Sequence, residues 1–216
     1  MVDTTQVPGR MADPRVLGFY GLAGATFLVG TRMAGWYGTS GYLLASFIAI
    51  FGLVQLLAGM WSYARRDDLA TAVFGMWGAF WLGYGILDRP GATPTAILTA
   101  VSPEVAFGFI VLAAITWMTV LAATADSWAL VVGLTALAAA STLGAIAEGI
   151  DIHGLWVLSG WLFAIAGVVA WYTSTALLLA SSHGHDVLPL GTALAGGTPA
   201  AATDIPRTTP VARRVS

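Results

Sequence analysis

The chain has 216 residues, 57% of them hydrophobic and 9% charged, with a formal charge of -2. A soluble domain carries roughly 25% charged residues, so this composition, with a mean hydropathy of +0.80, excludes an ordinary soluble protein. The weak negative balance also excludes the basic surface that nucleic-acid binding needs. All the cations are Arg, and the lack of Cys removes disulfide and thiol chemistry. One integral membrane domain is the natural division.

Residues 1–13 are polar, include Pro8 and Gly9, and lack the basic and apolar regions of a cleaved signal peptide. They are expected to remain as a cytoplasmic N-terminal segment. About 20 apolar residues cross a bilayer. The first span covers Leu17 to about Gly30 and extends toward Trp36, with Arg32 snorkelling or facing an aqueous path. The second runs from Tyr42 to Ala64 and holds one amide, Gln55; the third runs from Leu69 to Leu87, with Asp67 or Asp68 placed to cap it. A connector, GATPTAILTAV, is too short to span. Ser102, Pro103 and Glu104 then read as N-cap, N1 and first-turn acid of a fourth helix ending near Ala123. Asp126 and Ser127 start a fifth, Trp128 to about Ala147. After a polar patch at Glu148, Asp151 and His153, a sixth occupies Leu155 to about Ala180. The Ala-, Gly-, Thr- and Pro-rich segment 191–216 reads as a disordered cytoplasmic tail. The fold class is therefore all-α, a six-helix membrane domain over 14–190. Placing both termini inside puts seven Arg on the cytoplasmic side against Arg32 and Arg89 outside, as the positive-inside bias prefers.

At about 100° per residue, the third helix has two faces. Thr71, Gly75, Ala79 and Gly83 form a small stripe, which lets another helix approach closely. Phe74, Trp77, Trp81 and Tyr84 form an aromatic stripe that fills space or narrows a path. Ala136, Ala140 and Gly144 make a second small stripe on the fifth helix. Enzyme signatures are absent. His183, His185 and Asp186 read as a solvated turn, so no catalytic residue, metal or cofactor is called for.

Several residues resemble a known family. Asp13-Pro14-Arg15-Val16-Leu17-Gly18-Phe19 is similar to the NPAPLGL signature of the acetate uptake transporter family, the YaaH/SatP-like succinate and acetate permeases. Asp13, Pro14, Leu17 and Gly18 carry that match, with Asp13 in place of the signature's Asn. Gln55 with Ala58-Gly59 and Tyr63, Phe74 to Leu82, Gly160-Trp161, Tyr172 and Val187 to Gly191 extend it along the membrane domain. The resemblance implies a homo-hexamer in the cell membrane. Each protomer would carry small monocarboxylates, coupled to protons or as an anion channel. It also implies an apolar constriction of Phe, Tyr and Leu, which by position become Leu22, Trp77 and Leu137 here.

From Leu137, helical offsets place Ser141, Gly144 and Glu148 on one face; from Leu22 they place Thr26. Thr26, Gln55, Ser141 and Tyr172 are thus candidate pathway residues. Glu148, where the family has Asn, is a candidate proton-sensitive group near the outer mouth. It would repel acetate when ionised and donate a hydrogen bond when protonated; equally, it is an interfacial residue satisfied by water, Arg32 or the next helix. His153 titrates in the useful range but stands alone at a helix start. A pore for urea or ammonia, and a non-transporting sensor, are the competing functional readings.

Overall fold

The computed structural model describes residues 12–36, 43–87 and 103–191. They form six α-helices: α1 Pro14–Met33, α2 Leu44–Ala64, α3 Asp68–Leu87, α4 Pro103–Ala123, α5 Trp128–Ile150 and α6 His153–His183. All six are long and apolar enough to cross a membrane. The helix starts follow their caps. Asp13 accepts from the Arg15 N–H at 3.0 Å, with Pro14 at N1. Asp67, not Asp68, caps α3, accepting from the Ala70 N–H at 3.0 Å, and Ser127 caps α5 through Leu130. The segment 1–11, the connector 91–101, Ser102 and the tail from 192 lie outside the described residues.

α1 and α6 start earlier than expected, at Pro14 and His153 rather than Leu17 and Leu155, and two helix ends run past expectation. α5 does not stop before Glu148 but continues to Ile150, and ends where Asp151 takes a left-handed conformation, φ 51°, its N–H closing on the Ala147 carbonyl. Asp tolerates this conformation better than most residues, so the polar run Glu148 to Asp151 was no stop signal in itself. α6 reaches His183, ending at Gly184 with φ 75°.

Neighbours around the bundle run α1, α2, α3, α4, α5, α6 and back to α1, with α3 touching α4 most lightly. Glycines set the closest approaches. A Cβ on Gly30 would collide with the Gly160 and Ala164 backbone, and one on Gly78 with the Leu56 backbone. The aromatic stripe of α3 faces inward, where Phe74, Trp77, Trp81 and Tyr84 are buried. The small stripe consequently faces out: a Cβ on Gly75 or Gly83 would meet open space, and Ala79 is exposed. Close packing of α3 within the protomer is instead made by Gly78 and Gly85, with only the Gly75 backbone meeting Gly59. The second stripe behaves differently. Ala140 is buried, its carbonyl accepting from Ser159 Oγ at 2.7 Å, and Gly144 lies against Ser159 and Phe109. That face joins α5 to α6 and α4.

Candidate functional site

Leu22, Trp77 and Leu137 all belong to one buried apolar cluster, with Phe74, Phe109 and Phe163 among its rings. The Trp77 ring lies 5.2 Å from Trp81, tilted by 33°, and 6.0 Å from Phe163. Its Nε1 donates to Thr116 Oγ1 of α4 at 3.0 Å, bridging the light α3–α4 seam. The Trp77 ring is therefore tethered rather than free to swing. Leu22 stands beside a small void walled by Leu134, Ala166 and Ala170. Phe109 and Phe163 were not singled out in the sequence, because isolated Phe residues on α4 and α6 form no stripe of their own.

The polar groups of the interior are uneven in kind. Thr26 Oγ1 donates to the Leu22 carbonyl at 2.6 Å, Ser141 Oγ to Leu137 at 2.8 Å and Thr116 Oγ1 to Leu112 at 2.6 Å. Each hydrogen is committed to its own helix, so these hydroxyls present lone pairs, not donors, to anything beside them. Gln55 is the opposite case. It is 0% exposed, and among the described residues neither Nε2 nor Oε1 has a hydrogen-bond partner; Trp81 Nε1 is in the same state. Gly21 of α1 lies directly against the Gln55 backbone, fixing the base of that side chain in the bundle.

At the end of the bundle where α1 begins, Arg15 gathers three carboxylates from three elements. Its Nη2 lies 3.1 Å from Asp13 Oδ2, Nη1 lies 3.5 Å from Asp126 in the α4–α5 turn, and Nε lies 3.8 Å from Asp67. Arg65 donates to the Ala12 carbonyl at 2.8 Å. Burial pushes the Asp13 carboxyl upward, but the hydrogen bonds from Arg15 and the charges of Arg15 and Arg65 outweigh it and hold the group below the ordinary aspartate range. The signature segment thus fastens α1 to α3 and to the α4–α5 turn, while Gly18 makes room for the Phe74 ring and Leu17 is exposed. A small cavity opens beside Arg15, Asp67 and Asp126, floored by Phe19, Phe74 and Leu130.

Tyr172 sits at this same end. Its hydroxyl donates to the Pro189 carbonyl at 2.7 Å, and the Leu190 carbonyl accepts from the Ala129 N–H at 3.0 Å. The structure thus gives Tyr172 the role of pinning the segment after α6 across the start of α5; the hydroxyl is not turned toward Gln55 or the constriction. Glu148 lies near the opposite end of α5, only 6% exposed, on the face of Ser141 and Gly144. His153 opens α6 at that end. His183 and His185 have ring centres 6.2 Å apart, and among the described residues no three His, Cys, Asp or Glu side chains cluster as metal ligands.

The GPR1/FUN34/yaaH family profile matches residues 3–190. Among curated proteins, the chain is 27% identical over 192 residues to the succinate-acetate/proton symporter SatP of Escherichia coli K12, covering 84% of this chain and 96% of that one. It is 26% identical over 186 residues to the ammonia transport outward protein 3 of Saccharomyces cerevisiae, covering 82% and 66%. A shorter match, 31% over 84 residues, reaches 38% of this chain and 28% of acetate permease A of Emericella nidulans. Among solved structures, that of the bacterial acetate channel SatP superposes with a TM-score of 0.75 at 22% identity, over 84% of this chain and 100% of that one. The six-helix fold is shared with that channel, and the chain belongs to the GPR1/FUN34/yaaH family.

Proposed function

We propose that this protein carries small acetate-like monocarboxylates across the cell membrane, with a proton, through a pathway inside each protomer of a hexamer, and that it is not an enzyme. Both termini face the cytoplasm on this reading, since that puts Arg15, Arg65 and Arg66 inside. The observation that carries it is Gln55, a fully buried amide with neither polar atom paired among the described residues. An unpartnered buried amide is costly and marks a place where a polar guest gains. A carboxylic acid is the matching guest: its O–H donates to Oε1 while its carbonyl accepts from Nε2. Thr26 and Ser141, offering lone pairs, also suit an acid better than an anion. Leu22, Trp77 and Leu137 form the apolar narrowing between these groups, and Glu148 is the proton-sensitive group at the outer end.

One relative favours a second reading. The yeast protein named for ammonia transport fits a pore for a small neutral solute, which an interior with no buried charge at its centre among the described residues would admit. Uptake of labelled acetate into proteoliposomes, measured across external pH with propionate, formate, succinate and urea as competitors, separates the two. Acetate uptake that rises at low external pH and is competed by propionate but not urea is expected; urea flux without acetate flux would reverse the assignment.

A further inference from the structure

We propose that Arg15 is a carboxylate-exchange site at the α1 end of the pathway, where the substrate's carboxylate takes the place of Asp126 on the guanidinium. The proposal rests on the monocarboxylate reading and places a second polar contact for the same substrate. Of the three acids around Arg15, only Asp13 makes contacts of hydrogen-bond length, Nε and Nη2 reaching Oδ2 at 3.2 and 3.1 Å. Asp126 at 3.5 Å and Asp67 at 3.8 Å are held by charge rather than by well-formed hydrogen bonds. One arm of the guanidinium fork, Nη1, is therefore weakly held, and Arg15 lines the cavity floored by Phe19, Phe74 and Leu130.

The chemistry of that cavity is matched at both ends. Arg15 lines it together with Asp67 and Asp126, over aromatic and aliphatic carbon, which suits a short acyl chain whose carboxylate replaces one of those acids on the cation. The Asp126 side chain is itself a CH2–COO⁻ group, so the arm is occupied by an acetate-like group supplied by the chain. Exchange for the substrate keeps Arg15 neutralised, and the displaced Asp126 carboxylate, whose side chain is 43% exposed, passes to water. The cavity has a volume of ≈ 30 Å³, room for two or three waters where one needs about 10–15 Å³. Entry of acetate therefore requires Asp126 to move aside.

The test is the half-saturation concentration for equilibrium exchange of labelled acetate in proteoliposomes, for wild type, Arg15→Gln, Arg15→Lys and Asp126→Asn. Arg15→Gln should raise it about fivefold or more, and Arg15→Lys, which keeps charge but not the fork, should raise it less. Asp126→Asn should lower it about two- to fivefold, the range of a solvent-accessible ion pair, because the competing carboxylate is gone. The opposite signs are the signature. If the pair only holds the helices together, both changes shift exchange in the same direction, and that result, or no shift in variants that elute as folded protein, overturns the Arg15 assignment alone. Absence of acetate exchange in the wild type overturns the monocarboxylate reading and this proposal with it.

Discussion

Replacing Gln55 with Leu should make the protein more stable and less active. The buried amide has no partner among the described residues, and burying an unpaired amide costs about 1–3 kcal/mol in proteins. Leu is close to Gln in volume and branches beyond Cβ, and Gly21 crowds only the Gln55 backbone and Cβ, so the exchange removes polar atoms without overfilling the site. The gain is then about 1–3 kcal/mol. At roughly 2–4 °C per kcal/mol for a chain of this size, the unfolding temperature in detergent should rise by about 2–12 °C. Acetate exchange in proteoliposomes should fall about fivefold or more, since the two neutral hydrogen bonds to the acid contribute about 0.5–1.5 kcal/mol each. A Gln55→Leu protein that melts lower than wild type would show the amide to be a structural partner. Wild-type exchange would remove Gln55 from the pathway.

Glu148→Gln should flatten the rise of acetate uptake at low external pH; a profile matching wild type would exclude Glu148 as the proton-sensitive group. Thr116→Val leaves the buried Trp77 Nε1 without its acceptor and should destabilise by about 1–3 kcal/mol, read as a fall in unfolding temperature, with Trp77→Phe in the same chain restoring part of it; no fall would mean the α3–α4 bridge contributes nothing. Asp13 is held below its ordinary pKa, so its contribution is fully present above the unfolded value of about 3.9 and is lost as pH falls through the still lower folded value. Asp13→Ala should therefore cost about 1 kcal/mol at pH 7 and equally at pH 5, with the gap from wild type closing only below about pH 4. A gap that closes between pH 7 and 5 would refute the cap and its Arg15 contact.

The architecture was largely legible in the sequence because its signals are local. Six apolar runs, the Asp13-Pro14, Asp67 and Ser127 caps and the polar turn at Arg65 to Asp68 each act within a few residues, and each recurs in the structure. The stripes on α3 showed that the helix has two faces but not which one is inside. Packing decides that: in lipid the gain is van der Waals contact rather than removal from water, and the rings find it inside, where Trp77 and Trp81 lie against Phe163. Long-range pairings were not legible. Nothing near Arg15 in sequence announces Asp126, nothing near Tyr172 announces Pro189, and the commitment of Thr26 and Ser141 to their own helices follows from rotamers rather than composition.

On the proposed reading, the two ends and the middle of the pathway ask different things of the substrate. The Arg15 end offers a cation whose weakly held arm suits a carboxylate anion. The middle offers an amide with one donor side and one acceptor side, and that arrangement suits the neutral acid. An ionised carboxylate beside Gln55 would pair with Nε2 but face Oε1 with like charge, in an apolar surrounding where such repulsion is poorly screened. A substrate that is an anion at one end and an acid in the middle must take up a proton between them. Proton dependence would then follow from the interior itself, through the preference of Gln55 for the acid. Glu148 at the far end would repel the anion when ionised and admit the acid when protonated, and would not need to carry the proton through the bundle.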